Sequence, residues 1–389
     1  MQGYHSRYSN HSTSTAIKMK RKSTRLKSVK IQGFKSIPFE HPLELTFGDV
    51  NILLGANGAG KSNIIGFFKM LGYMMSGSFQ RFIAQFGTSQ KFLYYGSKKT
   101  PTMSASLRFE APTFYDTYSF NLTAAVPDRL IITSETIEWK HSRETKTFTS
   151  QLQSDFNESA LVKSSEKTEI FIRNLLSTCK VYQFNDSSIG SSMRQASTVD
   201  SAHYLQTEGN NLASFLYYLK NNYPDSFRRI TEYVHDVVPQ FQDFYLEPER
   251  GYMSLKWRDV SPNDYVLSAD QFSDGSIRYI ALATLLLQPE ETMPFVIIID
   301  EPELGLHPYA IDQLNEMIKD ASRHAQIIVA TQSTAIIDGF SADHVTVIER
   351  DEAIQGTCAR NLAEADYQTW LEEYTLSELW NKNIIGGRP

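Results

Sequence analysis

The sequence predicts an α/β protein with a largely parallel core sheet, into which an antiparallel β lobe and a helical lobe are inserted. Apolar strands at Val50–Leu54, Phe295–Ile299 and Gln326–Ala330 alternate with segments of helical periodicity, which is typical of strands buried on both faces. Between residues 102 and 149 the apolar residues instead alternate with polar ones, which predicts antiparallel strands. With 389 residues, 41% of them apolar, the chain can bury a large core as one elaborated domain or two closely joined lobes.

Local patterns predict the other elements in chain order. The first half is predicted to contain strands at Leu26–Ile31 and Leu43–Phe47, a helix from Ser62, a loop or solvated helix at 150–169, a helix at Thr168–Ser177 and a strand at Val181–Phe184. The second half is predicted to contain a helix at Asn211–Asn221 capped by Asn210, helices at Pro224–Val238 and Ile311–Ser322, and strands around Phe244, at Met253–Trp257 and at Val345–Ile348. Residues 100–250 are therefore expected to form the inserted lobes of a domain that spans residues 25–389.

Charge is distributed unevenly along the chain, whose formal net charge is -6. Residues 1–35 contain nine Lys and Arg residues and no acidic residue. We therefore expect residues 1–24 to be a basic, disordered arm. Two interpretations stay open: a solvated tail, or a segment that follows the phosphate backbone of a nucleic acid.

The composition also indicates the cellular compartment of the protein. No run approaches the roughly 18 apolar residues that a membrane span needs, and the start has no apolar signal segment. The two cysteines, Cys179 and Cys358, have no paired spacing, so neither a disulfide framework nor a zinc site is indicated. We expect a cytoplasmic protein with no membrane partner.

A phosphate-binding loop is the first chemical motif. Residues Gly55–Ser62 match the pattern G-x-x-x-x-G-K-[ST] between a predicted strand and a predicted helix. The glycines let backbone amides surround the β-phosphate of ATP, Lys61 places a cation against the β and γ oxygens, and the Ser62 hydroxyl can ligate Mg²⁺. A plain glycine-rich turn is the alternative, but the complete pattern in its required context argues against it. The predicted nucleotide-binding residues here are Gly55, Asn57, Gly58, Ala59, Gly60, Lys61 and Ser62.

The second motif is an apolar strand that ends in two carboxylates. Asp300 ends a strand of five apolar residues and Glu301 follows it directly. At such a strand end, Asp300 can hold Mg²⁺ through water, and Glu301 can orient and polarise the attacking water. An acidic pair at a strand end is usually a solvated turn, but the compact segment from Pro302 to Pro308 favours a catalytic pair.

Ser273, Asp274 and Gly275 open a predicted helix shortly before that strand. A serine at a helix N-terminus with exposed amides is an anion site, and in a head-to-head dimer it would bind the γ-phosphate held by the partner's loop. An ordinary helix N-cap is the alternative. The position of the motif between the loop and the carboxylates favours a signature that acts in trans.

The order of loop, Ser-x-Gly helix start and Asp-Glu strand end is that of an ATPase that works as a head-to-head dimer. On these residues the chain resembles the RecF/SMC-type branch of the ABC ATPases. It resembles more closely the stand-alone bacterial ATPases of the AAA-15/AAA-21 group, relatives of the overcoming-lysogenization-defect (OLD) ATPases. The stretches that carry the resemblance are Ile31–Ser36, Gly55–Asn63, Gln271–Leu287, Ile299–Ala310, Ala330–Ser333 and Glu378–Pro389.

This resemblance implies an ABC-type ATPase head without a coiled coil, ATP and Mg²⁺ as cofactors, and a homodimer or larger homo-oligomer formed through ATP. It adds Lys35, Ser36 and Asn63 to the nucleotide-binding residues. Gln332 occupies the position of a γ-phosphate sensor, where many such ATPases carry His, so slow hydrolysis is expected. Gln183, after the inserted lobe, could ligate Mg²⁺ or be a plain surface residue. A polar strand-end cap is the alternative for Gln332.

Three functions remain open at this stage. The first is a nucleic-acid or phage sensor and clamp that controls a separate effector, expected to be a nuclease and of Toprim type as one option, in anti-phage defence. The second is a slowly hydrolysing scaffold that holds a partner toxin inactive. The third, a DNA-repair clamp or transporter ATPase, is disfavoured because the signature and sensor residues differ from those of transporter motors.

Overall fold

The computed structural model describes residues 24–142, 144–153, 155–188, 190–261 and 265–387. They form two compact units. The first comprises the described residues up to Gly48, Gly58–Cys179 and Ile348–Asn361, and the second comprises Asp49–Asn57, Lys180–Val347 and the described residues from Leu362 onward. Apart from the buried Thr24, the predicted arm at residues 1–24 lies outside the described residues. The division into an arm, a domain at 25–389 and an insertion at 100–250 stays a prediction.

Seventeen strands and eleven α-helices are named in chain order across the described residues. The strands are β1 (Arg25–Gln32), β2 (Leu43–Thr46), β3 (Val50–Leu54), β4 (Thr102–Ala111), β5 (Phe114–Ala125), β6 (Arg129–His141), β7 (Phe148–Leu152), β8 (Cys179–Tyr182), β9 (Ser197–Thr198), β10 (Phe241–Tyr245), β11 (Tyr252–Met253), β12 (Lys256–Asp259), β13 (Val266–Ser268), β14 (Val296–Asp300), β15 (Gln326–Thr331), β16 (Val345–Asp351) and β17 (Gly356–Asn361). The helices are α1 (Lys61–Met75), α2 (Phe79–Phe86), α3 (Ser89–Phe92), α4 (Lys167–Ser177), α5 (Leu212–Asn222), α6 (Pro224–Val237), α7 (Asp274–Leu286), α8 (Pro308–Ala321), α9 (Thr334–Ile337), α10 (Glu364–Leu371) and α11 (Leu376–Asn381).

The first unit is built on an antiparallel sheet with the strand order β2-β1-β4-β5-β6-β7. Burial alternates along its central strands, as the period-two pattern predicts. Helix α1 packs through aromatic side chains: the Phe67 ring stacks on Phe120 of β5 with centroids 6.4 Å apart, and meets Phe34 edge-on at 6.0 Å. This packing fixes the helix that begins at the phosphate loop.

The second unit contains the parallel core, with the strand order β16-β3-β15-β14-β8. The β16–β3, β3–β15 and β15–β14 pairs are all parallel. Their register places Leu54 beside Thr331 and Ala330 beside Asp300, so three strands end at one edge of the sheet. Helix α7 is buried along its whole length from Ile277 to Leu286, which explains its continuous apolar sequence.

Most predicted elements lie where the sequence places them, but the start of the loop or solvated helix predicted at residues 150–169 is wrong. The predicted loop or solvated helix begins inside β7, which pairs with β6, and the Phe148 ring stacks on Trp139 at 5.7 Å. Polar residues dominate β7 because it is an edge strand whose side chains are mostly exposed. Strand β17 and helices α10 and α11 were also not predicted.

Other predicted element boundaries are wrong as well. The single strand predicted at Met253–Trp257 is divided between β11, which ends at Met253, and β12, which begins at Lys256. The strand predicted at Val181–Phe184 ends at Tyr182, because the Gln183 amide bonds to the Thr207 carbonyl at 3.1 Å. Asn210 does not cap α5; the N-cap residue is Asn211, whose buried side chain makes no cap bond. Its amide instead ties the preceding loop together, for example by accepting from the Gln206 N–H at 2.9 Å.

No helix within the described residues is long and apolar enough to cross a membrane. The same residues show no coiled coil, since their longest helix, α1, has 15 residues.

Candidate functional site

The carboxyl edge of the parallel sheet gathers several predicted site residues in the second unit. The phosphate loop leaves β3 at Gly55, whose N–H donates to the Thr331 carbonyl of β15 at 3.4 Å. The next residue, Ala56, donates to the Gly387 carbonyl at 3.1 Å. Ligands of open α/β sheets bind at this edge, outside the carboxyl ends of the strands.

Gln183 lies beside Asp300 in the second unit. Its side-chain amide donates a hydrogen bond of 3.1 Å to the Asp300 carboxylate. Both residues are half-buried. The glutamine that the sequence supported least is therefore in direct contact with the predicted Mg²⁺ carboxylate, and the amide fixes one carboxylate oxygen.

Glu301 has an unusual backbone conformation. Its φ is 46°, in the left-handed region that a non-glycine residue rarely adopts. Its N–H donates to the Ala330 carbonyl of β15 at 2.8 Å, and its carbonyl accepts from the Leu304 N–H at 3.3 Å. Strained backbone of this kind costs about 1–3 kcal/mol and is concentrated at functional sites. The tight turn takes Glu301 out of the strand direction that Asp300 follows.

A second carboxylate, Glu303, connects this turn to the predicted sensor segment. The Thr331 hydroxyl donates to Glu303 Oε1 at 2.6 Å, and the Ser333 N–H donates to the Thr331 hydroxyl at 2.8 Å. Burial raises the pKa of Glu303, and hydrogen bonding from the Thr331 hydroxyl is the largest effect that opposes that rise. Gln332 therefore sits in a strand end that Glu303 holds.

The signature residues lie at the start of α7. Ser273 is exposed and caps the helix, because its hydroxyl accepts the Ser276 N–H at 3.1 Å. Asp274 is paired with the buried Arg194 at 3.0 Å. The Arg194 guanidinium also donates to the Phe272 carbonyl at 3.2 Å and to the Ala269 carbonyl. These bonds hold the segment before Ser273 in place while Ser273 itself faces solvent.

Arg278, one and a half turns further along α7, joins three segments of the second unit. Its guanidinium donates to the carbonyls of Phe184 and Asn185, each at 2.9 Å, just after Gln183. It also donates to the Leu304 carbonyl, three residues after Glu301. Burial lowers the pKa of Arg278, and the Asp274 charge partly opposes this. One side chain thus connects the signature helix to the segments that follow Gln183 and Glu301.

The remainder of the phosphate loop belongs to the first unit. Gly58 and Gly60 have φ values of 82° and 116°, so both need the freedom of glycine. Gly60 is the N-cap residue of α1 and has no side chain with which to cap it. Lys61 is buried, whereas Ser62 is exposed at the first turn. A helix start of this kind presents backbone N–H groups and a positive dipole end to an anion.

Ser36 supports this loop through Thr357 of β17. The two hydroxyls lie 2.7 Å apart, and the Thr357 hydroxyl donates to the Ala59 carbonyl at 3.0 Å. The Asn63 amide donates to the Ser36 hydroxyl at 2.6 Å. A Cβ at Gly60 would collide with the Thr357 side chain. Ser36 and Asn63 therefore lie next to the phosphate loop, to which Thr357 connects them.

Lys35 lies near the same helix. Its φ is 49°, and its ammonium lies 5.5 Å from the centroid of the Phe34 ring and 5.8 Å from that of Phe92. The absence of a Cβ at Gly66 leaves room for this ammonium against α1. Burial lowers the pKa of Lys35.

A cleft of about 630 Å³ opens in the first unit beside these residues. Lys35, Ser36 and Asn63 line it on one side, and Tyr94, Tyr95 and Arg350 line it on another. The Tyr94 hydroxyl donates to the Gln355 carbonyl at 3.1 Å, and the Lys99 ammonium lies 4.4 Å from the centroid of the exposed Tyr95 ring. The cleft combines cations with aromatic rings, and its volume is in the range of small-molecule sites.

Several of these residues could not be assigned from the sequence. Thr357 carries no motif and lies 298 residues from Ala59. Arg278 had a usable signal, because it is a lone cation in an otherwise apolar helix. Glu303 lies in the segment that follows Glu301, but no sequence pattern assigns it a role.

Comparison with known proteins identifies the family of this chain and two solved structures that share its fold. Residues 50–338 match the AAA_21 family, described as "AAA domain, putative AbiEii toxin, Type IV TA system". The chain belongs to this family. Nucleotide binding follows from the AAA domain, and the chain is an ATPase.

Two solved structures share the fold. An Smc head bound to the C-winged helix domain of ScpA is similar over 88% of this chain and 99% of that chain, at 14% identity and a TM-score of 0.59. An Smc head domain with an extended coiled coil, bound to the C-terminal domain of ScpA derived from Pyrococcus furiosus, covers 90% and 99% at 14% identity, with a TM-score of 0.57. No curated protein matches the chain. The predicted fold class and family are confirmed.

Proposed function

We propose that this ATPase binds ATP and Mg²⁺ in a head-to-head dimer and acts as a sensor or clamp that controls a separate effector in anti-phage defence. The exposed Ser273 carries the proposal. It caps a helix whose start is held by the buried Arg194, and its side chain faces solvent. A rigid, exposed helix start is a suitable site for a phosphate held by a second copy.

Hydrolysis is assigned to the residues predicted for it. Glu301 orients and polarises the attacking water, and Gln332 senses the γ-phosphate through hydrogen bonds. Ser62, Asp300 and Gln183 are proposed to serve Mg²⁺, and the contact between Gln183 and Asp300 fits that role because it brings together two side chains that carry oxygen atoms, the ligands that Mg²⁺ prefers. When bound, Mg²⁺ would neutralise charge on the β and γ oxygens. Gln332 cannot take up a proton, which supports slow turnover.

The nucleoside part of ATP is assigned to the cleft beside Ser36 and Asn63. Tyr95 offers an exposed ring for stacking, and Lys35 and Arg350 supply positive charge. The residues predicted from the family resemblance, Lys35 and Ser36, line this cleft, which supports their place in nucleotide binding.

The proposed effector is a separate protein, expected to be a nuclease, with a Toprim nuclease as one option. The family description names a toxin–antitoxin system, and both similar Smc heads are recorded with a bound ScpA domain. These names support a partner for this head. Nucleic acid is the proposed trigger, and the basic segment at residues 1–24 is its proposed contact.

The first experiment measures ATP turnover by the purified chain with and without double-stranded DNA, together with its mass by light scattering with ATP. Turnover raised by DNA, with a shift to a dimer, is the expected result. A Lys61→Ala variant should lose nucleotide binding, and Glu301→Gln should bind ATP but accumulate the dimer. If DNA does not change the ATP turnover and ATP does not change the mass, the clamp hypothesis is contradicted.

The second candidate is a scaffold that binds ATP, hydrolyses it hardly at all, and holds a partner toxin inactive. Gln332 at the sensor position and the toxin–antitoxin family description favour it. Glu301→Gln separates the candidates, because blocking turnover should change the biological output of a clamp and leave that of a scaffold unchanged.

A further inference from the structure

Glu303 is a buried carboxylate with one unpaired oxygen. Its residue is only 9% exposed, its Oε1 accepts the Thr331 hydroxyl, and its Oε2 has no hydrogen-bond partner among the described residues. Glu135 provides a contrast. It is fully buried, but its oxygens accept from the Tyr118 hydroxyl, from Ser159 Oγ at 2.6 Å and from the Ala160 N–H at 2.7 Å.

This arrangement is costly for the fold. A buried carboxylate oxygen without a donor loses its hydration and gains no hydrogen bond in return, which destabilises the native state. An apolar residue of similar size could close the turn without that loss. Both carboxylate oxygens of Glu135 accept hydrogen bonds, which accounts for its burial. In Glu303 only Oε1 accepts a hydrogen bond, so the burial of Oε2 is not accounted for in the same way.

The hydrogen bond of Glu303 connects it to the end of β15, directly before Gln332. Thr331 donates to Glu303 at 2.6 Å, and Ser333 donates to the Thr331 hydroxyl at 2.8 Å. The Gln332 backbone also lies close enough to the carboxylate to lower its pKa. Residues on both sides of Gln332 are therefore fixed relative to Glu303.

The same strand end holds Glu301 at a second point. The Glu301 N–H donates to the Ala330 carbonyl at 2.8 Å, one residue before Thr331. The turn from Glu301 to Glu303 and the segment from Ala330 to Ser333 are thus joined by two bonds two residues apart. The two bonds extend the pairing of β14 with β15, which ends at Asp300 and Ala330, into the residues that follow both strands.

We propose that Glu303 is a positioning residue for ATP hydrolysis, which keeps Glu301 and Gln332 in a fixed mutual arrangement. The inference rests on the roles of Glu301 and Gln332 in the proposed function. Displacing a catalytic group by about 1 Å can lower a rate 100-fold, so a positioning bond affects kcat more than substrate binding.

The test uses the full chain and separates kcat from ATP binding. The variants are Glu303→Ala, Glu303→Gln, Thr331→Val and Thr331→Ser, with the exposed Glu316→Ala as the matched control. Glu303→Ala and Thr331→Val should each lower kcat about tenfold and change the Kd for a fluorescent ATP analogue less than twofold. Glu303→Gln and Thr331→Ser keep the bond and should restore at least half of the wild-type kcat.

The two partners should also act as a unit. If they act through one bond, the double variant Glu303→Ala with Thr331→Val should lose no more kcat than either single variant. Should Glu303→Ala fail to fold, Glu303→Leu removes the same bond and fills the buried site, whereas Thr331→Val additionally removes the acceptor of the Ser333 N–H.

Failure of the inference and failure of the proposed function are distinguishable. If Glu301→Gln stops hydrolysis while Glu303→Ala and Thr331→Val keep the wild-type kcat, Glu303 does not position the site. A Kd that rises in step with the fall in kcat would also overturn the inference, since it would show a general structural defect. If Glu301→Gln hydrolyses ATP at the wild-type rate, the proposed function itself is wrong and the inference falls with it.

Discussion

The hydroxyl of Thr357 donates a hydrogen bond of 3.0 Å to the backbone carbonyl of Ala59, 298 residues earlier in the chain. The same hydroxyl lies 2.7 Å from that of Ser36. A strand near the C-terminus and a turn near the N-terminus therefore support the phosphate loop in the first unit. The loop is positioned by tertiary contacts as well as by its own glycines.

Thr357→Val should loosen the phosphate loop. Valine keeps the shape of threonine but cannot donate to Ala59, so the free energy of unfolding should fall by about 1 kcal/mol. The Kd for ATP should rise, because the loop amides are less well ordered before binding. Urea denaturation and nucleotide titration measure the two effects. Thr357→Ser keeps the hydroxyl and is the control, and equal losses in both variants would mean that the effect does not come from the hydrogen bond to Ala59.

Ser273→Arg should leave ATP binding intact and prevent the ATP-induced dimer. The exposed side chain would place a long cation where the partner's phosphates are proposed to dock, and no buried contact is lost. Light scattering with ATP, combined with nucleotide titration, measures assembly and binding separately. Asn221→Arg, at an exposed position near the end of α5, adds the same charge elsewhere. Normal assembly of Ser273→Arg would count against a signature that acts in trans.

Arg278→Met should destabilise the second unit and slow hydrolysis. The change leaves the carbonyls of Phe184, Asn185 and Leu304 without their donor, so the free energy of unfolding should fall by about 2–3 kcal/mol. Urea denaturation and steady-state turnover measure the two outcomes. Arg228→Met is the matched control, because Arg228 is exposed and forms a surface ion pair with its helix neighbour Asp225. A full kcat in Arg278→Met would show that the arginine serves stability alone.

Tyr95→Ala should weaken ATP binding about tenfold without weakening the binding of inorganic tripolyphosphate. Stacking of a base on an aromatic ring is worth about 1–3 kcal/mol, and tripolyphosphate has no base. Competition against a fluorescent nucleotide gives both affinities. Tyr252→Ala removes a ring of similar exposure and should change neither. Equal losses for ATP and tripolyphosphate would place the nucleoside outside this cleft.

The sequence predicts the motifs of the site better than it predicts the residues that hold those motifs in place. The phosphate loop, the Asp300–Glu301 pair and the Ser273 helix start are local patterns, so their residue types and spacing can be recognised along the chain. The bonds from Thr357 to Ala59 and from Arg278 to Leu304 join distant segments, and no local pattern encodes them.

The same distinction explains the errors in the fold. The central strands of both units have clear periodicity, because one or both faces are buried. Strand β7 is an edge strand with mostly exposed side chains, so its polar sequence looks like a loop. Asn210 is predicted as a helix cap by residue type, but the N-cap residue is Asn211, and its side-chain amide bonds to the preceding loop instead of to the helix.

Glu303→Gln should change how stability depends on pH. Burial raises the pKa of Glu303 above its ordinary value of 4.5, so the native state holds this proton more tightly than the unfolded state does. The stabilisation is fully present below the ordinary pKa and is lost as the pH rises through the raised native pKa. Glutamine cannot ionise. The wild type should therefore lose free energy of unfolding relative to Glu303→Gln between about pH 4 and the raised pKa.

Urea denaturation of both proteins across that pH range tests this expectation. Thr331→Val is the informative control, because it keeps the carboxyl buried and removes a hydrogen bond that lowers the pKa of Glu303. In that variant the loss of stability should extend to higher pH than in the wild type. A constant difference between wild type and Glu303→Gln at every pH would mean that folding does not shift the titration of Glu303.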